Sequence, residues 1–100
     1  MTLIAWNIYE ISNEQNSLHN VMLRGRVRKF AIENSINCIL ENATDAENVV
    51  RFAIPNEEDA GKIKNYVQQI LPQASIKLVL ESTLNPVVSK LKVNDITRYA

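Results

Sequence analysis

The sequence predicts an α+β fold of the ferredoxin-like class, a split βαβ sandwich in which two helices pack on one face of an antiparallel sheet. Three observations carry that expectation. Two stretches with helical spacing of apolar residues are separated by a pair of short strand-like runs. A run rich in β-branched and aromatic residues precedes the first helix, and another strand follows the second. Two glycines and three prolines in 100 residues leave no room for a flexible linker, so residues 1–100 are expected to form one domain.

Residues 4–12, from Ile4 through Trp6, Ile8, Tyr9 and Ile11 to Ser12, carry large side chains at both parities, the pattern of a central strand. Residues 13–20 are polar and rich in Asn and Ser, whose side chains bond to their own backbone and disfavour regular structure, so a loop follows. From Met22 to about Asn34, Leu23, Val27, Phe30 and Ala31 recur at helical spacing, with Arg24, Arg26, Arg28, Lys29 and Glu33 on the other faces and Gly25 as a weak point.

Ile36, Cys38 and Leu40 alternate over residues 36–41, and Val49, Val50, Phe52 and Ile54 follow over residues 48–54, which predicts a β-hairpin across the polar turn 43–47. Pro55 and Asn56 then introduce Glu57, Glu58 and Asp59, a cap and three carboxylates suited to the positive end of a helix. Ala60, Ile63, Val67, Ile70 and Leu71 continue that helix until Pro72 closes it. Residues 75–81 form a further strand around Ile76, Leu78 and Leu80, and residues 87–93 an edge segment after Asn85 and Pro86.

Eleven Lys and Arg balance eleven Asp and Glu, so no whole-molecule field draws in nucleic acid or anionic lipid, and any anion selectivity must be local. The single Cys38 cannot form an internal disulfide, no apolar run approaches the ~18 residues of a membrane span, and no secretory leader pattern is visible. A cytoplasmic, monomeric protein without nucleic-acid or membrane partners is the expectation.

The segment that points to chemistry is His19-Asn20-Val21-Met22-Leu23-Arg24, followed eighteen residues on by Asn42 at a strand end. A polar loop entering a helix with a guanidinium in its first turn is suited to bind phosphate, and a nearby carboxamide can orient water. This segment resembles the Gln-Gly-Val-Gly-Phe-Arg loop of the acylphosphatases, with Val21 and Arg24 identical. The register from Leu23 to Asn42 needs no gap, and places a helix alanine on Ala31 and the asparagine that closes strand 2 on Asn42. Tyr9-Glu10-Ile11 is similar to the family's first strand, Asn42-Ala43-Thr44-Asp45 to its Asn-x-x-Asp turn, and Val88 to Leu91 with Arg98-Tyr99 to its C-terminal end. Asn20 and Met22 stand where the family's loop has glycines, and Ala46-Glu47 where a glycine follows its turn.

The resemblance implies an acylphosphatase-like hydrolase that cleaves an acyl phosphate to carboxylate and inorganic phosphate with neither metal nor cofactor. It places His19, Asn20, Val21, Met22, Leu23 and Arg24 as the phosphate-binding loop, with Arg24 and Asn42 as catalytic residues. Two alternatives remain open at this point, a non-catalytic ferredoxin-like module that binds a phosphate or carboxylate ligand, and a protein-interaction domain. The other candidates read as structural. The basic residues of the first helix lack interleaved aromatics for nucleic acid, His19 has no Cys or Ser partner at suitable spacing, and Cys38 sits on an apolar face. Glu57, Glu58 and Asp59 complement a helix dipole rather than hold a metal, and the sequon at Asn42 lacks a secretion signal beside it.

Overall fold

The computed structural model describes residues 5–13, 18, 22–44 and 46–83. Strand β1 (Trp6–Ser12), helix α1 (Leu23–Glu33), strands β2 (Ile39–Asn42) and β3 (Val49–Ile54), helix α2 (Glu57–Ile70) and strand β4 (Ser75–Thr83) follow one another along the chain. The strands make one antiparallel sheet in the order β2-β3-β1-β4, so β1 is interior, as its two-sided apolar pattern requires. The arrangement is a small α+β fold compatible with a ferredoxin-like sandwich. The edge segment expected over 87–93 lies outside the described residues, as do the similarities over 88–91 and 98–99, together with His19, Asn20, Val21 and Asp45.

Alternation along the strands sorts the sheet into two faces. Tyr9, Ile11, Leu40, Val50, Phe52 and Ile54 bury against Leu23, Val27 and Ala31 of α1 and Ala60, Ile63 and Val67 of α2, so both helices share one core. The register partners Tyr9 and Phe52 stack with centroids 5.1 Å apart, and Phe30 stacks on Tyr66 at 4.3 Å to join the helices. On the other face, Ile8 and Ala53 pack with Trp6, Ile39, Val79 and Leu80. The next row runs Glu41, Arg51, Glu10, Lys77 across all four strands, alternating in sign, with Arg51 Nε donating to Glu10 Oε2 at 2.8 Å.

Two sequence expectations are corrected. Strand β2 begins at Ile39, three residues later than the alternation of Ile36 and Cys38 predicts. Ile36 is used instead to finish α1. Its N–H donates to Ala31 O at 2.8 Å while Ser35, at φ 54°, donates to Ile32 O at 3.2 Å, the paired bonds of a Schellman motif, with Ala31 and Ile36 both in the core. Strand β4 does not keep Ile76, Leu78 and Leu80 on one face. Register shifts on either side of Ile8 bulge the strand, so Ile76 packs on the helical core, Leu80 joins the opposite face and Leu78 is 40% exposed. At the second irregularity Ser82 takes φ 52° and its N–H donates to Asn7 Oδ1 at 3.0 Å.

Helix α2 starts as its sequence dictates. Asn56 Oδ1 accepts from the N–H of Glu58 at 2.9 Å, and Glu57, Glu58 and Asp59 fill the first turn. Glu57 also accepts from the Tyr9 hydroxyl through both carboxylate oxygens, at 2.9 and 2.7 Å, and from the Asn7 amide, while Lys64 Nζ lies 4.4 Å from the Tyr9 ring centroid. The Tyr9 and Asn7 bonds hold the Glu57 carboxyl below its usual 4.5, and burial followed by the Glu57 contact pushes the Tyr9 phenol up to about 12. Stability from Tyr9 is thus fully present below pH 10.0 and lost as pH rises through about 12. The Glu57 contribution is present above pH 4.5 and lost as pH falls through its lowered value. We expect Tyr9→Phe to remove the alkaline loss, read as a smaller drop in the urea midpoint between pH 10 and 12 than in wild type.

Candidate functional site

Arg24 and Asn42, expected from the sequence to act together, line the same cavity. It has a volume of about 160 Å³ and is walled by Leu18, Met22, Leu23, Arg24, Gly25 and Asn42. Such a space lies below the ~300 Å³ at which drug-sized pockets begin and suits a small ligand. Of the expected loop, Met22, Leu23 and Arg24 are described and contribute to the cavity, while His19, Asn20 and Val21 are outside the described residues.

Three local features build this wall. Leu23 opens α1 and is fully buried, which anchors the first turn in the core. Its N–H donates to Leu18 O at 3.0 Å, fixing the buried Leu18 across the helix start. Arg24 and Gly25 come next, and among the described residues Arg26 N–H donates to Met22 O at 3.0 Å. Among the described residues, the N–H groups of Arg24 and Gly25 have no carbonyl acceptor and the Arg24 guanidinium has no ion-pair or hydrogen-bond partner. The Asn42 carboxamide is likewise uncommitted among them.

The electrostatics of α1 differ from those of α2. Helix α2 has an asparagine cap and three carboxylates in its first turn, whereas α1 has no side-chain cap and no acidic residue in its own. Among the described residues no carboxylate compensates the positive end of the α1 dipole, and Arg24 adds a full charge to it. The described cavity wall thus combines a guanidinium and a carboxamide with the first turn of a helix.

Met22 is the N-cap residue of α1 and lies in the left-handed region at φ 56°, ψ 41°. That conformation favours glycine, the residue found at this place in the loop that the segment resembles. The Met22 side chain is 71% exposed. It therefore forms a rim to the cavity and stays out of the core. Replacing it by glycine is expected to relieve about 1 kcal/mol of backbone strain, offset in part by unfolded-chain entropy. The net gain, a few tenths of a kcal/mol to about 1 kcal/mol, is readable in chemical denaturation of Met22→Gly.

A larger cavity, about 280 Å³, lies between α1 and β2 and is lined by Arg28, Cys38 and Glu41 among mostly apolar residues. Arg28 Nη2 donates to Leu40 O at 3.1 Å, and burial pushes the Cys38 thiol up to about 12 against the opposing influence of Arg28. Cys38 is expected to react with disulfide reagents far more slowly in the native state than in denaturant, a difference visible in a thiol-labelling time course.

Among the described residues no group of three or more His, Cys, Asp or Glu side chains could hold a metal ion, and no helix is long and apolar enough to cross a membrane. Sequence reasoning missed Leu18 as a wall of the cavity and missed Asn48, which bonds to the segment ahead of α1. Asn48 Oδ1 accepts from Leu18 N–H and its Nδ2 donates to Asn13 O, each at 2.7 Å. The available signal was an asparagine just before a β-branched run, a residue type that tolerates positive φ in turns. No family model matches the chain, and no curated protein and no solved structure matches it either.

Proposed function

We propose that the chain is an acylphosphatase-like hydrolase that converts an acyl phosphate and water to a carboxylate and inorganic phosphate without a metal. The observation that carries this reading is the meeting of Arg24, Asn42 and the uncompensated start of α1 at one small cavity. The resemblance of the loop and of the spacing from Leu23 to Asn42 supports the same assignment.

In this reading Arg24 holds two phosphoryl oxygens with its planar fork, and the N–H groups of Arg24 and Gly25 add donors from the helix start. The Asn42 carboxamide accepts a hydrogen bond from the attacking water and orients it toward phosphorus. A new bond forms from the water oxygen to phosphorus as the bridging P–O bond breaks, the electron pair leaves on the carboxylate, and the water proton passes to solvent or to the phosphate product. The carboxylate is a good leaving group, so positioning and charge stabilisation suffice without a strong protein base. Met22, the exposed apolar residue of the wall, offers its side chain to the acyl part.

Arg24→Ala and Asn42→Ala are each expected to lower acetyl phosphate hydrolysis by on the order of 10²–10³, as for loss of one oxyanion donor. Full rates in both variants would refute the assignments. A second reading, a phosphate or carboxylate binder without turnover, is favoured by Met22 at a positive φ that glycine adopts freely. Amide shifts at residues 22–25 on phosphate titration, without hydrolysis, would identify it.

A further inference from the structure

We infer that Asn48 is a positioning residue that sets the spacing between the start of α1 and Asn42. The inference rests on the proposed site for its catalytic consequence, but its structural content stands alone. Ser12 of β1 is the register partner of Val49 of β3, so the chain leaving β1 at Asn13 passes beside residue 48. Asn48 takes φ 53°, which turns its carboxamide back toward that segment. Both ends of the amide are then used. Nδ2 donates to Asn13 O where the chain leaves β1, and Oδ1 accepts from Leu18 N–H, each at 2.7 Å.

Leu18 is the next link, because its carbonyl accepts from Leu23 N–H at the first residue of α1 and its side chain walls the cavity. Asn48 is also tied to Asn42. The two bracket the β2–β3 turn, which is closed by Ala43 N–H donating to Val49 O at 2.9 Å, and Asn42 pairs with Val50. One carboxamide thus connects the wall that carries Arg24 to the turn that presents Asn42. A bidentate amide does this where a single donor or acceptor could not. Asn48 touches no reacting atom in this scheme and acts through Leu18 and the turn.

Asn48→Gly separates the tether from the backbone, since glycine keeps the positive φ without strain while both side-chain bonds are lost. Asn48→Asp keeps the acceptor for Leu18 N–H but cannot donate to Asn13 O. In Asn48→Gly, hydrogen exchange at the Leu18 amide should accelerate at least tenfold. The dissociation constant for inorganic phosphate should rise about tenfold, and kcat for acetyl phosphate should fall by up to on the order of 10²-fold as the reacting groups lose alignment. Asn48→Asp, which keeps the Leu18 acceptor, should leave Leu18 exchange closer to wild type than Asn48→Gly does, and Asn48→Ala, which loses both bonds, serves in place of the glycine variant if that one does not fold. Unchanged Leu18 exchange in Asn48→Gly, or in Asn48→Ala where only that one folds, would overturn the tether whatever the protein catalyses. If wild type neither binds phosphate nor hydrolyses acetyl phosphate, the proposed function fails, while faster Leu18 exchange in the variants still upholds the tether. If wild type is active and the variants lose Leu18 protection yet keep full phosphate affinity and kcat, the positioning role is refuted.

Discussion

Strand β1 is paired on both sides, with β3 from Asn7 to Ser12 and with β4 from Trp6 to Ser12, and the rest of the molecule is placed by that double registration. At one end the match of Asn7 to Ile54 brings the first turn of α2 beneath Tyr9, where Glu57 takes the phenol hydrogen bond. At the other, the match of Ser12 to Val49 sets Asn13 beside Asn48. A slip of one residue would turn Tyr9 and Ile11 away from the helices and separate both pairs at once. Packing and site geometry are two results of one register.

The two helices have the same job in the core and opposite treatment at their N-termini. Helix α2 is neutralised by its own asparagine and carboxylates, so its start is closed to other anions. Helix α1 has no acidic residue in its first turn and adds Arg24, and the described residues of the surrounding wall include no carboxylate. With a formal net charge of zero, any electrostatic preference for an anion has to come from a local excess of this kind, acting at short range. The buried Leu23 and Leu18, joined by the bond from Leu23 N–H to Leu18 O, anchor the charged turn to the core.

Periodicity made the helices and the inner strands legible, because the burial of Leu23, Val27 and Ala31 and of Ala60, Ile63 and Val67 follows directly from spacing. It misled where an apolar residue serves a cap rather than a ladder, as Ile36 does. It misled again in β4, where bulges change which side chains share a face, since nothing in Ile76, Leu78 and Leu80 marks the interruption. Arg24 and Asn42 were legible because charge and position in the chain are properties of sequence. Asn48 was not, because its role depends on which strand end lies beside it, and that is decided by long-range pairing. The positive φ at Met22, Ser35, Asn48 and Ser82 was hidden for another reason. None of the four is a glycine, the residue whose presence would have announced it.

The irregular course of β4 has a consequence for how this molecule behaves in a crowd. Nine residues of β4 lie at the margin of the described sheet, long enough to recruit a stray extended chain if their free amides and carbonyls kept a steady beat. The two breaks spoil that rhythm, and the Asn7 carboxamide occupies the Ser82 amide that would otherwise be offered. The same kinks deny an intruding strand a regular template along this margin of the described sheet.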